Sequence, residues 1–374
     1  MHSKTLFAGL FAIASFGTVS CAPEGERGAS KSFAGSNLYF LHALPKAEQK
    51  TYVTTLASHG VKVLRLWVTG LKAGCQKGSN LNAIPQLETT VGQYDTTVLK
   101  ALDDTLKLLH ENNIKAIISP HNANALGGGS AECDAYCKKY GAAANFYSSA
   151  AAKADYDARI RTILNFKSPN FGNKPWKDLR EVIWAIDLQN EPLITNPEKA
   201  AANDPDDWVC GRAGEMRKEL GTSNILVATG GIAGSHYCCD HEFNLIEKAL
   251  RCDALDILSV HSYMSKASDW AYFITGAKSV LRTANQAKKL VMVEEWGVAV
   301  GNQDNFEKQV KVFNDAGIPW LYWQFVPGKD GSQSGAPANC GYDSYEIGLN
   351  SPKGNIGDAV RAANRATANQ TWVL

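Results

Sequence analysis

Val182-Ile183-Trp184-Ala185-Ile186-Asp187-Leu188, followed at once by Gln189-Asn190-Glu191-Pro192, is the stretch that decides the fold. The first part is a short, mostly apolar run with β-branched residues, and a proline stops it, which reads as a buried strand. Its polar end places a carboxylate, Glu191, where that strand finishes. Runs of the same kind stand at 36–40, 62–67, 115–119, 225–229, 257–260, 290–294 and 320–325, so the chain holds eight.

Between these runs lie stretches with helical spacing at 46–59, 96–112, 150–166, 213–220, 242–251, 269–287 and 302–316. Several stop at Gly60, Asn112 or Gly317, where a left-handed residue can close a helix. Strand and helix alternating in this way predict an α/β fold, a (β/α)8 TIM barrel in a single domain. In such a barrel the loops beyond the strand C-termini crown the active face. The Gly-, Pro- and Asn-rich segments 122–137, 230–241 and 327–341 are those loops. No repeat, Ser/Thr linker or appended Trp-rich module interrupts the pattern.

The first residues carry a lone Lys4, an apolar run from Leu6 to Phe16 and small residues up to Cys21, which is the layout of a secretory signal. The expectation is a signal peptide over 1–21, a barrel domain over 22–374, and a secreted, extracellular protein. The apolar run is well short of the ~20 residues that span a bilayer. With 38 basic and 37 acidic residues the net charge is +1, which gives no reason to expect nucleic acid or a membrane as partner. An uncharged partner and a monomer are expected. Nine cysteines become eight if cleavage follows Cys21, an even set suited to an oxidising compartment, although eight allow about 105 pairings.

The chemistry gathers at strand ends. Glu191 closes the fourth strand, and Val293-Glu294-Glu295-Trp296-Gly297 places a second carboxylate, Glu295, at the end of the seventh. Those ends face each other across a closed barrel, so the two carboxylates can straddle one bond. Glycoside cleavage with retention needs them about 5 to 5.5 Å apart, one protonating the leaving oxygen and the other attacking the anomeric carbon. Arg65 and Tyr263 can hold Glu295 ionised, and His261 can orient Glu191. Asn190 can reach a sugar 2-hydroxyl, Trp323 offers a flat floor for the ring, and His121 and Asn122 sit after the third strand. Strand alternation turns Glu294 to the opposite face from Glu295.

From Arg65 through His121, Asn190-Glu191-Pro192, His261-Ser262-Tyr263 and Glu295-Trp296-Gly297 to Trp323, the chain resembles glycoside hydrolase family 5. The resemblance implies that Glu191 is the acid/base and Glu295 the nucleophile, with no cofactor and no metal. The segments 33–40, Glu294-Glu295-Trp296-Gly297 and Tyr322-Trp323-Gln324 look most like endo-β-1,4-mannanases, which implies a β-mannan substrate. Leu193, where mannanases usually carry Arg, and Pro120-His121-Asn122, which looks more like β-1,4-glucanases, leave a β-glucan open. A secreted carbohydrate-binding barrel without turnover is the rival from another class, and retention of both carboxylates argues against it.

His236, Cys238, Cys239, Asp240, His241 and Glu242 crowd metal-binding side chains together, but no zinc spacing repeats and oxidised cysteines are the simpler reading. Cys133 and Cys137 are expected to staple a loop. Gly127-Gly128-Gly129-Ser130 lacks the lysine and helix start of a phosphate loop. Trp67, Trp270 and Trp296 are read as either sugar platforms or outer core, with Trp296 the stronger platform candidate beside Glu295.

Overall fold

The computed structural model describes residues 30–127, 131–234, 237–238, 241–276 and 279–374. The signal expected over 1–21, the glycine-loop residues 128–130, and His236, Cys239 and Asp240 of the cysteine-rich segment lie outside the described residues.

Eight parallel strands close a barrel: β1 (Ala34–Asn37), β2 (Val63–Trp67), β3 (Lys115–Ser119), β4 (Ile183–Asp187), β5 (Leu226–Ala228), β6 (Ile257–His261), β7 (Leu290–Trp296) and β8 (Trp320–Tyr322). Each pairs with its sequence neighbours, and β1 pairs with both β2 and β8. One apolar set lies inside the barrel, with Phe33, Val63, Ile117, Trp184, Met292 and Leu321 sealed at the bottom by Trp372. A second, larger set fills the layer between strands and helices. Packing on both faces explains why the strands read as continuous apolar runs.

The helices that position the strands include α1 (Lys46–His59), α2 (Thr97–Glu111), α3 (Ala150–Leu164), α4 (Trp208–Leu220) and α5 (Phe306–Ala316). Gly60 and Gly317 close α1 and α5 at φ 93° and 64°, as their sequence positions predict. The stretch 269–287 is two helices, Ala267–Thr275 and Val280–Gln286, because Gly276 ends the first turn-run in an extended conformation. The stretch 242–251 is α-helical only over Glu247–Leu250, after a 3-10 turn at Phe243–Leu245. There the Asn244 side chain clasps the backbone N–H and C=O of His261 (3.1 and 3.2 Å), holding the segment against β6. A further helix, Ile356–Arg365, buries Ile356, Val360 and Ala363 and supplies the layer after β8.

Two irregularities shape the mouth. Along β7, Val293 pairs with Trp320 and Trp296 with Tyr322, while on the other side Val260 pairs with Val293 and His261 with Glu295. One extra residue is therefore inserted at Glu294-Glu295, a bulge of the kind that re-aims side chains at a barrel rim. The second is Glu191 itself, at φ 52°, which turns the chain sharply after β4.

Candidate active site

Arg65 on β2 organises the mouth from beneath, with no exposure to solvent. Its Nε donates to Asp187 (2.8 Å), one terminal nitrogen to Glu295 (2.5 Å) and the other to the Asn190 side-chain oxygen (2.8 Å). Buried charges are tolerable only when paired this fully. Opposite Arg65, Tyr263 donates its hydroxyl to the second oxygen of Glu295 (2.8 Å). Burial, with the charges of Glu295 and Glu191, pushes that phenol well above its ordinary range, so it stays a donor.

Glu191 leaves β4 with its N–H bonded to the Gly230 carbonyl (2.8 Å), and its carboxylate accepts from the Asn124 amide (2.8 Å). His261 at the end of β6 lies between the carboxylates, its Nδ1 at 3.3 Å from Glu191 and 3.4 Å from Glu295, and its Nε2 at 3.0 Å from Glu294. One carboxylate oxygen of Glu191, one of Glu295 and a ring nitrogen of His261 all fall within 4.8 Å of one another. That spacing suits direct attack by one carboxylate and leaves no gap for an activated water between them.

The resting protonation follows from this geometry. Burial opposes charge on His261, but the charge of Glu295 and the hydrogen bonds from Glu191 and Glu294 push it up to about 10. Burial also raises Glu191, yet the bond and charge of His261, with Asn124 and Arg65, hold it below the usual carboxylate range. At Glu295 burial prevails over His261 and Arg65, helped by the charge of Glu191, and the carboxyl sits above that range. At rest the mobile proton therefore belongs to His261 rather than to Glu191, the reverse of what an acid at Glu191 needs during catalysis. The three groups titrate as one set, and the His261 Nδ1 stands 3.3 Å from the Glu191 oxygen with which it exchanges the proton.

The structure corrects the expectation for Glu294. Strand alternation would send it outward, but the bulge turns two consecutive carboxylates to the same side, and Glu294 is buried against His261 and 3.5 Å from the Arg65 Nε. Trp296, on the other side of Glu295, keeps the alternation and points into the helix layer. Wholly buried, it stacks on Phe306 (5.5 Å) and packs edge-on against Phe313, Trp320 and Tyr322, so it is core and not a sugar platform. Trp270 is core as well, its indole donating to Gln309 (3.0 Å).

His121 is a strut rather than an exposed contact. Gln189 donates to its Nδ1 (2.8 Å), which leaves Nε2 to donate to Asp134 (2.6 Å), and the ring stacks on Phe146. Asn122 accepts from Asn190 (2.9 Å) and from Asn124, joining the third-strand loop to the fourth. The expected staple is present: Cys133 and Cys137 are bonded, flanking Asp134, and Cys75–Cys340 and Cys210–Cys252 are the other disulfides among the described residues.

Trp323 and Trp67 both reach the mouth and stack on each other (5.4 Å) and on Tyr39 (5.8 and 5.1 Å). The Arg65 guanidinium lies 5.7 Å from the Trp67 ring. Tyr39, Asn124 and Asp187 were missed by the motif reading. Asp187 alone carried a signal, being the single charge inside an apolar strand.

The comparisons agree with this fold. The chain spans 89% of its length and 99% of the other in superposition on an endo-1,4-β-D-mannanase from Thermotoga petrophila, at 20% identity and a TM-score of 0.67. For an endo-1,4-β-mannanase from Rhizomucor miehei the values are 89%, 94%, 17% and 0.64, and for an endoglucanase from Pseudomonas stutzeri 91%, 96%, 14% and 0.56. At these identities the likeness is one of fold. No curated protein sequence matches the chain. The model of the cellulase family, glycosyl hydrolase family 5, matches residues 24–329, and with that match over most of its length the chain belongs to glycoside hydrolase family 5.

Proposed function

We propose that this protein is a secreted hydrolase that cleaves β-1,4-mannan by double displacement, with Glu191 as acid/base and Glu295 as nucleophile. The observation that carries the reading is the approach of Glu191 and Glu295 to within 4.8 Å, with His261 bridging them.

In the first step a Glu295 oxygen bonds to the anomeric carbon as the C1–O bond breaks, and the proton on Glu191 passes to the departing oxygen. Arg65 and Tyr263 keep the nucleophile aimed, one on each oxygen. His261, cationic at rest and in contact with Glu191, supplies the proton that Glu191 passes on. In the second step water attacks the glycosyl ester, gives its proton to Glu191, and Glu295 leaves. Both groups are side chains, so the reaction calls on no metal or organic cofactor, and a chelator leaves it unchanged.

A β-glucan is the second reading, and Leu193 favours it. That side chain, next after Asn190-Glu191-Pro192, is wholly buried and turned by a φ of 68°, so it offers no polar group to a sugar. Reducing-sugar release from galactomannan, glucomannan, carboxymethyl-cellulose, laminarin and xylan, with Glu295→Ala as control, separates the two. Release from mannans alone supports the first reading, release mainly from glucans the second, and none from any substrate overturns both.

A further inference from the structure

Two arcs of contacts leave Glu295 and meet at Asp343, which Trp323 also contacts. One runs from Glu295 to Tyr263, whose ring lies 4.5 Å from that of Tyr345, and from the Tyr345 N–H to Asp343 (3.2 Å). The other runs through Arg65, Trp67 and Tyr39, whose hydroxyl accepts from Gln76 (2.6 Å). Lys77, next to Gln76, closes the circuit by pairing with Asp343 (2.9 Å) and Glu346 (2.6 Å). Trp323 stands inside it, its indole donating to Asp343 (2.8 Å).

This wall is welded and not a loose loop edge. The hairpin Gly74–Gln76 with Ser79–Leu81 is bonded to the segment after β8 by Cys75–Cys340 and by the Lys77 N–H on the Cys340 carbonyl (2.5 Å). A Cβ on Gly78 would stand 2.3 Å from the Lys329 carbonyl oxygen, which shows how tightly the two backbones are pressed together. Lys77 is only 4% exposed, a buried cation that persists because two carboxylates hold it.

The chemistry says which part of a substrate lies here. Glu295 bonds to the sugar that is retained, and Glu191 protonates the oxygen of the part that leaves. The retained sugar therefore sits on the Glu295 side, against Trp323 and Trp67, which are 9% and 8% exposed, and the leaving part lies beyond Glu191. Because attack is at the anomeric carbon of the retained sugar, everything further on that side is the non-reducing end of the chain.

We propose that this side of the cleft is a blind pocket bounded by the Lys77–Asp343 closure, so that the enzyme removes short glycosyl units of fixed length from non-reducing ends. The proposal rests on the retaining-glycosidase reading above, and it departs from the internal cleavage that the resemblance to endo-mannanases implies.

The test is the product profile of wild-type enzyme on borohydride-reduced mannohexaose and cellohexaose, with viscosity of glucomannan followed in parallel. The expected result is one short unreduced product from the earliest time points, a reduced remainder that shortens stepwise, and little loss of viscosity per bond cut. A mixture of intermediate lengths from the outset, with rapid loss of viscosity, overturns the blind pocket and leaves the glycosidase reading standing. No hydrolysis of any oligomer, polymer or aryl glycoside overturns that reading itself. Opening the wall with Cys75→Ser and Cys340→Ser together should add longer products; if that protein does not fold, Lys77→Gly, which removes the Lys77–Asp343 closure, keeps the disulfide and suits the left-handed backbone there (φ 48°), serves instead. A wild-type product profile from a folded variant shows that the wall does not set product length, and the proposal fails.

Discussion

Gly231→Ala tests whether His261 must sit where it does. Gly231 follows β5 with φ 79°, and a Cβ there would meet the His261 ring at 2.2 Å from Cγ, 2.3 Å from Cδ2 and 2.4 Å from Nδ1. Ordinary carbon contacts are about 3.5 Å or more, so the ring must retreat by roughly 1 Å. Its bonds to Glu191 (3.3 Å) and Glu294 (3.0 Å) cannot both survive that movement. Left-handed backbone costs an alanine about 1–2 kcal/mol and overpacking about 1–3 kcal/mol, which together lower the melting temperature by a few degrees for a chain of this length. With the proton donor of Glu191 displaced, kcat should fall by about 10²–10⁴. Gly214, exposed on α4 with nothing within 4 Å of its added Cβ, is the matched control, and Gly214→Ala should be neutral or stabilising. Calorimetry and turnover of the polysaccharide substrate, whose poor leaving group needs the proton, read both effects. Wild-type melting and turnover in Gly231→Ala would refute the reasoning.

In Glu191→Ala the proton for a poor leaving group is lost, so formation of the glycosyl-enzyme should suffer much less with activated aryl glycosides than with polysaccharide; equal loss would count against the acid role. Asn124→Ala removes a hydrogen bond that holds Glu191 low, so the alkaline limb of the kcat profile should move to higher pH, and kcat should drop by about tenfold. A limb that moves down instead would contradict the assignment. Burial holds His42 near 4, below its ordinary 6.5, against a hydrogen bond to the Thr69 carbonyl that acts the other way. The unfolded chain takes that proton first, so this contribution is whole above pH 6.5 and is lost as pH falls from 6.5 to 4, about 3 kcal/mol in all. Urea unfolding at pH 7.5 and 4.5 should show that loss, and His42→Asn should remove it.

The barrel was legible because its strands are buried on both faces and its helices end at residues suited to a left-handed cap. The site's order along the chain was legible too, since Glu191, His261, Tyr263, Glu295 and Trp323 fall at or just beyond strand ends, Arg65 lies midway along β2, and Arg65, Glu191, His261, Tyr263 and Glu295 converge. What escaped depends on register and on loops. A single inserted residue in β7 turns Glu294 to the same face as Glu295, and period-two reasoning has no means of locating a bulge. Tyr39 and Asn124 are polar residues in loops like many others, and only tertiary contact gives them a place. The wall formed by Lys77, Asp343 and the Cys75–Cys340 bond joins segments far apart in sequence, a pairing that cysteine counting cannot select.

The central claim is that Glu295 becomes covalently glycosylated. Incubation with an activated 2-deoxy-2-fluoro mannoside or glucoside, followed by mass spectrometry of the intact protein and its peptides, tests it directly. The account predicts a mass gain of one fluoroglycosyl unit on the peptide bearing Glu294-Glu295, with fragmentation placing it on Glu295. Labelling of Glu294 or Glu191, or turnover whose first product carries the inverted anomeric configuration by NMR, would contradict it.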